Sequence, residues 1–586
     1  MRNVNWLRAN TRKNDIYFGH SAILIHPQYL LYQFLTHLFP PAHAASVSHH
    51  RHGTGETAAK KRSPRSGHEA DWKRLAQEAL ERNIEALKPR VGVAKNAVFF
   101  IGDGMGMTSI TGARWHMKQD EDLIAYEAEL SWDKFPTVGL SKTYNTDIMT
   151  PDSAGTATAF LCGEKAREGV IGVNQDVHYG ECETMTEDTE LDSILKIAQT
   201  EDKWTGLVTT TRITHATPAA SYAHSAHRYW ENDNEIPDDQ KEACPDMEDI
   251  AKQLVYSETG QNLKVIFGGG RSQFRPNTTM DPEYSDYPGF RGDGRDLIAE
   301  WISLKTEAGV NFHYVQNQTQ FDNIDVENVD HVLGLFNPGH MNYEADRADD
   351  IWGEPSLEEM VQKAITILER SPNGYILFVE SGRIDHAHHD TNANRALIDT
   401  YQMQKAVGRA IAMTSPDETL TVVSADHSHA FAISGYPDIT TDIYGYVYEV
   451  SSPADPYLAD DDKPYTTLAY ANGPGWYTHR NGSLRIDMND LPEDEKPGMG
   501  NVNFLQDAGV PFNSETHGGE DVPVYANGPM AYLLAGTYEQ SYIPHVIMYA
   551  TCIGDNRDLC TSSAVSLQAS LWMASVLAWL LSVHFL

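Results

Sequence analysis

The chain has 586 residues, with 45 Lys and Arg against 82 Asp and Glu, and a formal net charge of −37. An acidic excess of that size excludes a chain built to bind nucleic-acid phosphates, and it would repel any anionic substrate unless a local cluster of cations reverses the field. The length allows one large domain with insertions, and 41% hydrophobic residues suit a folded globular chain.

In chain order, the first feature is an apolar patch, SAILIHPQYLLYQFLTHLFPPAHAA, which contains Ala42-His43-Ala44. It reads as a signal-like segment over 1–44 with cleavage near Ala44. Residues 45–70 are basic and His-rich, with KKRSPR, and read as a spacer or propiece without a packed core. DWKRLAQEALERNIEAL at 71–87 predicts an amphipathic helix. Short apolar, β-rich runs that end in polar residues follow: NAVFFIGDGMG, WTGLVTTTRITHA, LKVIFGGGR, GYILFVESGRIDHAHH and TLTVVSADHSH. Helical stretches such as LEEMVQKAITILER and ALIDTYQMQKAVGRAIAM lie between them. Strands alternating with helices predict an α/β fold: a mostly parallel sheet covered on both faces. The expected organisation is a single domain over 71–560, with an insertion at about 430–516 rich in Tyr, Pro, Asp and Gly.

After Asp558 no Asp, Glu, Lys or Arg appears, and the chain finishes LQASLWMASVLAWLLSVHFL. Small residues followed by an uncharged apolar tail read as a GPI-attachment signal over 561–586, removed on maturation. Cys182 and Cys244 flank one segment, and Cys552 and Cys560 close a short loop. In an exported chain these read as two bridges, with Cys162 left as a buried free thiol. Sequons at Asn277, Asn317 and Asn481 agree with export.

The chemistry gathers at the ends of the predicted strands, where open α/β sheets bind ligands. There lie Asp103, His215, Glu380, Asp385 and Asp426. VESGRIDHAHHD places Asp385 and His389 four residues apart, on one face of a helical turn. ADHSH supplies Asp426, His427 and His429, and ETHGGEDV supplies His517. Imidazole and carboxylate without thiolate form the ligand set of catalytic zinc. The Gly-rich turn around Asp103 lacks the lysine of a nucleotide loop and the Rossmann spacing, so Asp103 reads as a shared metal ligand. TPDSAGTATAFLCG at 150–163 carries one serine, Ser153, in a run of small residues that by itself reads as a helix start.

Taken together, IGDGMG, PDSAGTATA, THATPAASYAH, ESGRIDHAHH, ADHSH and ETHGGEDV resemble, in order, the motifs of the alkaline phosphatases, in particular the GPI-anchored animal enzymes. The resemblance implies a three-layer αβα sandwich with an inserted, crown-like surface subdomain. It implies hydrolysis of phosphate monoesters at alkaline pH on the outer cell surface, by a homodimer. Ser153 would accept the phosphoryl group and Arg228 would grip phosphate. One zinc would sit on Asp385, His389 and His517, and a second on Asp103, Asp426 and His427 beside Ser153. Magnesium would sit on Asp103, Thr217 and Glu380, with His215 behind it, while His386 and His429 lie on the phosphate side. Bacterial members carry Asp and Lys where this chain has His215 and His386, which matches the animal type. A structural calcium would fall on Glu283, Phe336, Asn337 and Glu354, but Asn337 stands where the family has a carboxylate. Sulfatases on a related fold need C/S-x-P-x-R, and neither Ser153 nor Cys162 has that context.

Overall fold

The run NAVFFIG at Asn96–Gly102 is buried along its whole length. Its side chains alternate between two cores: Ala97, Phe99 and Ile101 enter one, while Val98 and Phe100 enter the other. A strand buried on both faces belongs in the middle of a layered sheet. The computed structural model describes residues 72–86, 89–450, 455–557 and 559–560, and they all fall within one compact unit, Arg65–Leu586.

The central sheet has ten strands: β1 (Asn96–Gly102), β2 (Thr137–Lys142), β3 (Trp204–Arg212), β4 (Val265–Gly269), β5 (Phe312–Val315), β6 (His331–Leu335), β7 (Tyr375–Ser381), β8 (Thr419–Ala425), β9 (Val522–Asn527) and β10 (Gly536–Glu539). Their spatial order is β10-β2-β9-β8-β1-β7-β3-β4-β6-β5. Only β9 runs antiparallel to its neighbours, β2 and β8. Helices cover both faces, giving three layers. The helix Ser153–Cys162 packs on one face, where Phe160 meets Phe99 edge-on at 5.7 Å between ring centres. Leu357–Leu368 and Ala393–Met413 pack on the other, contributing Met360, Ile365, Met403 and Val407 to its core. Burying a single Phe or Leu stabilises by ~1.5–3 kcal/mol, so two continuous cores hold the strand ends rigidly in place.

Sequence reading finds β1, β3, β4, β7 and β8 and the two long helices. It misses β2, β5, β6, β9 and β10: β5 and β10 are four-residue edge strands, and Pro523 interrupts the apolar run of β9. Within the expected insertion, Phe431–Ile433, Leu468–Gly473 and Ala508–Pro511 form a separate three-stranded sheet over a small core with Tyr444 and Leu397. The helix expected at 71–87 spans Trp72–Ala86 and leaves Trp72, Leu80 and Ile84 exposed. Cys182–Cys244 and Cys552–Cys560 are bridged. Cys162 is free but half-buried rather than buried. The signal-like segment, the basic spacer and the apolar tail lie outside the described residues, among which no helix is long and apolar enough to cross a membrane.

Candidate active site

Register sets the site. Gly102 pairs with Ser381 on one side and Ala425 on the other, so Asp103 and Asp426 leave the sheet side by side. Glu380 lies opposite Ile101 and Thr209. Gly104, at φ +68°, lets the chain turn directly under His429, since a Cβ there would stand 2.3 Å from the imidazole Nε2. Its N–H donates to Asp426 Oδ1 at 2.9 Å.

Ser153 opens its helix. The N-cap is the preceding residue, Asp152, whose carboxylate accepts from the N–H groups of Ala154 and Gly155 at 3.1 Å each. Asp152 also accepts from Asn145 at 2.8 Å and from Arg228 at 2.9 Å. The nucleophile candidate, the cap and the phosphate-side arginine are thus one bonded unit. Ser153 Oγ lies 3.2 Å from His427 Nε2 and 3.5 Å from Asp103 Oδ1. It is buried, with only 2% of its surface exposed.

Around it the residues read from the sequence fall into groups whose ligand atoms lie within 4.8 Å of one another. Asp103, Asp426 and His427 form one, and Asp103, His215 and Glu380 another. His517 Nε2 lies 3.1 Å from His389 Nε2 and 3.3 Å from Asp385 Oδ1, so the third expected set also converges. The imidazoles are oriented for ligation. The Nδ1 atoms of His389, His517 and His427 face the carbonyls of Glu515, Pro151 and Ser428 at 2.5, 2.7 and 3.2 Å. An Nδ1–H donated to a carbonyl leaves the Nε2 lone pair pointing inward. Burial, reinforced by neighbouring imidazoles, holds His427 well below its ordinary pKa and therefore neutral.

Asp103, Asp426 and Glu380 lack a charged partner, whereas Asp385 faces His429. Burial raises Asp103 well above the usual carboxylate range, and Asp426, Asp385 and Glu380 push it further. Glu380 is pushed up to about 7 by burial despite hydrogen bonds from Thr209 and Thr211. Asp103 Oδ2, Asp426 Oδ2, Glu380 Oε1, Thr217 Oγ1 and His215 Nδ1 are buried without a hydrogen-bond partner. Orphaned buried oxygens this close together fit divalent cations.

On the phosphate side, Arg228 places NH2 3.3 Å from His215 Nε2. His386 Nδ1 lies 2.8 Å from Arg383. Sequence reading missed His340, whose ring centre lies 4.2 Å from that of His386 and 5.2 Å from that of His215. Both His340 nitrogens face Arg212, one its backbone N–H at 3.2 Å and the other its guanidinium. Its loop, FNPGHM, carries no pattern that would single it out. Glu515, bonded to His429 Nδ1 at 2.5 Å, was also missed. His429 in turn faces Asp385, a member of the third expected set, at 2.8 Å. Burial opposes charge on His429, yet Glu515 and Asp385 outweigh it and raise its pKa to about 10.

The calcium set does not fit a cation as it stands. Asn337 turns its amide Nδ2 toward Glu354 Oε1 at 2.6 Å, because its Oδ1 is taken by the Gly339 N–H at 3.0 Å. Glu283 already lies 2.9 Å from the buried Arg271 guanidinium and accepts from Asn317 at 2.7 Å.

A serine at a capped helix start, facing converging imidazoles and uncompensated carboxylates at the strand ends of an α/β sheet, is the site of a metal-dependent hydrolase. The profile described as "Alkaline phosphatase" matches residues 94–553, and the chain belongs to that family. Its activity is the hydrolysis of phosphate monoesters. The human tissue-nonspecific isozyme of alkaline phosphatase is 44% identical over 521 residues, covering 88% of this chain and 95% of the relative. The membrane-bound alkaline phosphatase of Bombyx mori is 39% identical over 540 residues, covering 91% and 94%. The solved alkaline phosphatase of the Antarctic bacterium TAB5 superposes with a TM-score of 0.52 at 22% identity, over 79% of this chain and 100% of that one, and shares the fold.

Proposed function

We propose that turnover runs through a phosphoserine on Ser153. The observation that carries this is the position of Ser153 Oγ, 3.2 Å from His427 Nε2, on the first residue of a helix whose N-terminus favours negative charge. Ser153 Oγ gives up its proton to solvent and attacks phosphorus. The P–O bond to the alcohol breaks, and the alcohol leaves with a proton from solvent. Water then cleaves the serine–phosphate bond, releasing inorganic phosphate and restoring the hydroxyl. Arg228, already steered by Asp152 and His215, presents two N–H groups to non-bridging oxygens, a bidentate geometry lysine lacks.

Asp385, His389 and His517 would hold one zinc, and Asp103, Asp426 and His427 the second. Asp103, Thr217 and Glu380 would hold magnesium, with His215 alongside. Bound there, these ions would supply the positive charge that an otherwise acidic chain lacks and would lower the pKa of hydroxyl and water. Acid-quenched protein given labelled substrate should carry label on wild type and none on Ser153→Ala. Label on the alanine variant would overturn the assignment.

The reading extends to the chain's setting: export, a GPI anchor on the outer face of the cell membrane, and a homodimer. It is supported by two disulfides, which form in oxidising compartments, by the uncharged tail after Asp558, and by the membrane-bound name of the silkworm relative. The exposed Trp72, Leu80 and Ile84 offer apolar surface to a second subunit. Phosphatidylinositol-specific phospholipase C should release the protein from membranes. Retention of a mature chain that still contains Trp579 would mean a membrane-spanning tail instead. Light scattering should give twice the subunit mass.

A further inference from the structure

Glu515 sits in SETHGG, two residues before His517. It is 1% exposed, so its side chain is enclosed by other residues. Its backbone N–H donates to the His389 carbonyl at 2.8 Å. Its own carbonyl faces His389 Nδ1 at 2.5 Å. Its Oε1 accepts from the Ala430 N–H at 2.7 Å, and its Oε2 takes His429 Nδ1 at 2.5 Å. His429 passes that contact on to Asp385 Oδ1 at 2.8 Å. The chain then runs to His517, which pairs antiparallel with His429. One residue therefore touches His389 directly and supports Asp385 through His429, which is also the strand partner of His517.

Two features show that this place is built. Gly473, at φ +130° in the inserted sheet, packs so closely that a Cβ on it would stand 2.9 Å from Glu515 Cβ. Asn472 clasps Thr516 on both sides, donating to its hydroxyl at 2.8 Å and accepting from its N–H at 3.0 Å. The inserted subdomain thus presses the Glu515–His517 segment against the strand ends. Imidazoles that ligate metals depend on partners at their second nitrogen, and loss of such a partner weakens metal affinity about 10–100-fold.

We propose that Glu515 is the positioning residue for the metal position formed by Asp385, His389 and His517, acting on Asp385 through His429 and on His389 through its main chain. It rests on the proposed function, in which these three side chains hold a zinc ion. Glu515 makes no contact within the Asp103, Asp426 and His427 set, so its influence is selective between two neighbouring ions.

The test is zinc affinity, measured on purified full-length protein by competition with a chromogenic chelator and by elemental analysis. Wild type should hold two zinc ions per subunit. Glu515→Ala should hold one of them about 10–100-fold more weakly and the other as wild type does. Glu515→Gln keeps the acceptor for Ala430 and the shape, removes only the charge facing His429, and should weaken the same ion by a smaller factor. In a His517→Ala background, which removes that ion, adding Glu515→Ala should leave the remaining zinc untouched. Phosphoserine should persist longer in the single variant. If both variants hold both ions as tightly as wild type, or lose both in parallel with a general drop in melting temperature, Glu515 is a packing residue and the proposal falls alone. Wild type that binds no zinc would overturn the metal reading itself and this proposal with it.

Discussion

Replacing Asp152 separates two jobs that the structure gives to one carboxylate. Asp152 caps the Ser153 helix through two bonds of 3.1 Å and holds Arg228 through one of 2.9 Å. Loss of an N-cap costs ~0.5–2 kcal/mol. The Arg228 side chain is only 14% exposed, and stripping a buried charge of its partner costs up to ~3–5 kcal/mol. Arg228 keeps its contact with His215, so the expected loss for Asp152→Ala is ~2–4 kcal/mol. Asp152→Ser retains a good cap but no counter-charge, and should be ~1 kcal/mol more stable than the alanine variant. Both should bind inorganic phosphate more weakly, by about tenfold (~1.4 kcal/mol), because the guanidinium is no longer held in place. Urea midpoints of the metal-loaded protein read the first effect, and competitive inhibition by phosphate reads the second. Equal stability of the two variants would refute the capping role. Wild-type inhibition by phosphate in both would refute the claim that Asp152 presets Arg228.

Exhaustive chelation should abolish activity, and zinc with magnesium should restore more than either alone. An imidazole ligates only when neutral, so if His389, His427 and His517 hold the zinc ions as proposed, acid should strip the ions and activity should climb from neutral into alkaline pH; an acid optimum in a pH–rate profile would contradict this. Burial raises the Asp399 carboxyl to about 8, so the folded state keeps a proton that the unfolded chain loses near 4. That contribution is fully present below pH 4 and is lost as pH rises through about 8. Asp399→Asn should therefore stabilise the fold at pH 9 by at least one pKa unit's worth (~1.4 kcal/mol), read as a higher melting temperature, and leave the melting temperature unchanged at pH 4; an equal shift at both values would discount the titration. Asn317 caps a short helix through Oδ1 and packs Nδ2 against Glu283, donating to it at 2.7 Å, which leaves little room on that nitrogen for a glycan. Mass spectrometry should find glycans at the exposed Asn277 and Asn481 and none at Asn317.

Where the ligands come from can be read off the chain alone. Apolar runs such as NAVFF and YILFV are long enough to be central strands, and a chain leaving a buried strand must turn polar at once. Asp103, Glu380, Asp385 and Asp426 are therefore legible as strand-end residues from their place in the sequence, and the four-residue step from Asp385 to His389 is legible as one helical face. What lies between strand ends is not. Nothing in FNPGHM announces that His340 meets His386 edge-on, and nothing in SETHGG announces that Glu515 grips His429, 86 residues earlier. Such contacts depend on how a distant loop is folded over the site, and loops carry no period to read. The misfit of Asn337 to calcium is visible as a residue type. Its reason is tertiary: an amide whose orientation is dictated by the Gly339 N–H, and a guanidinium already beside Glu283. Local pattern fixes which faces are buried, because burial follows period. Long-range hydrogen bonding fixes which polar groups meet, and that is set by the packing of the whole sheet.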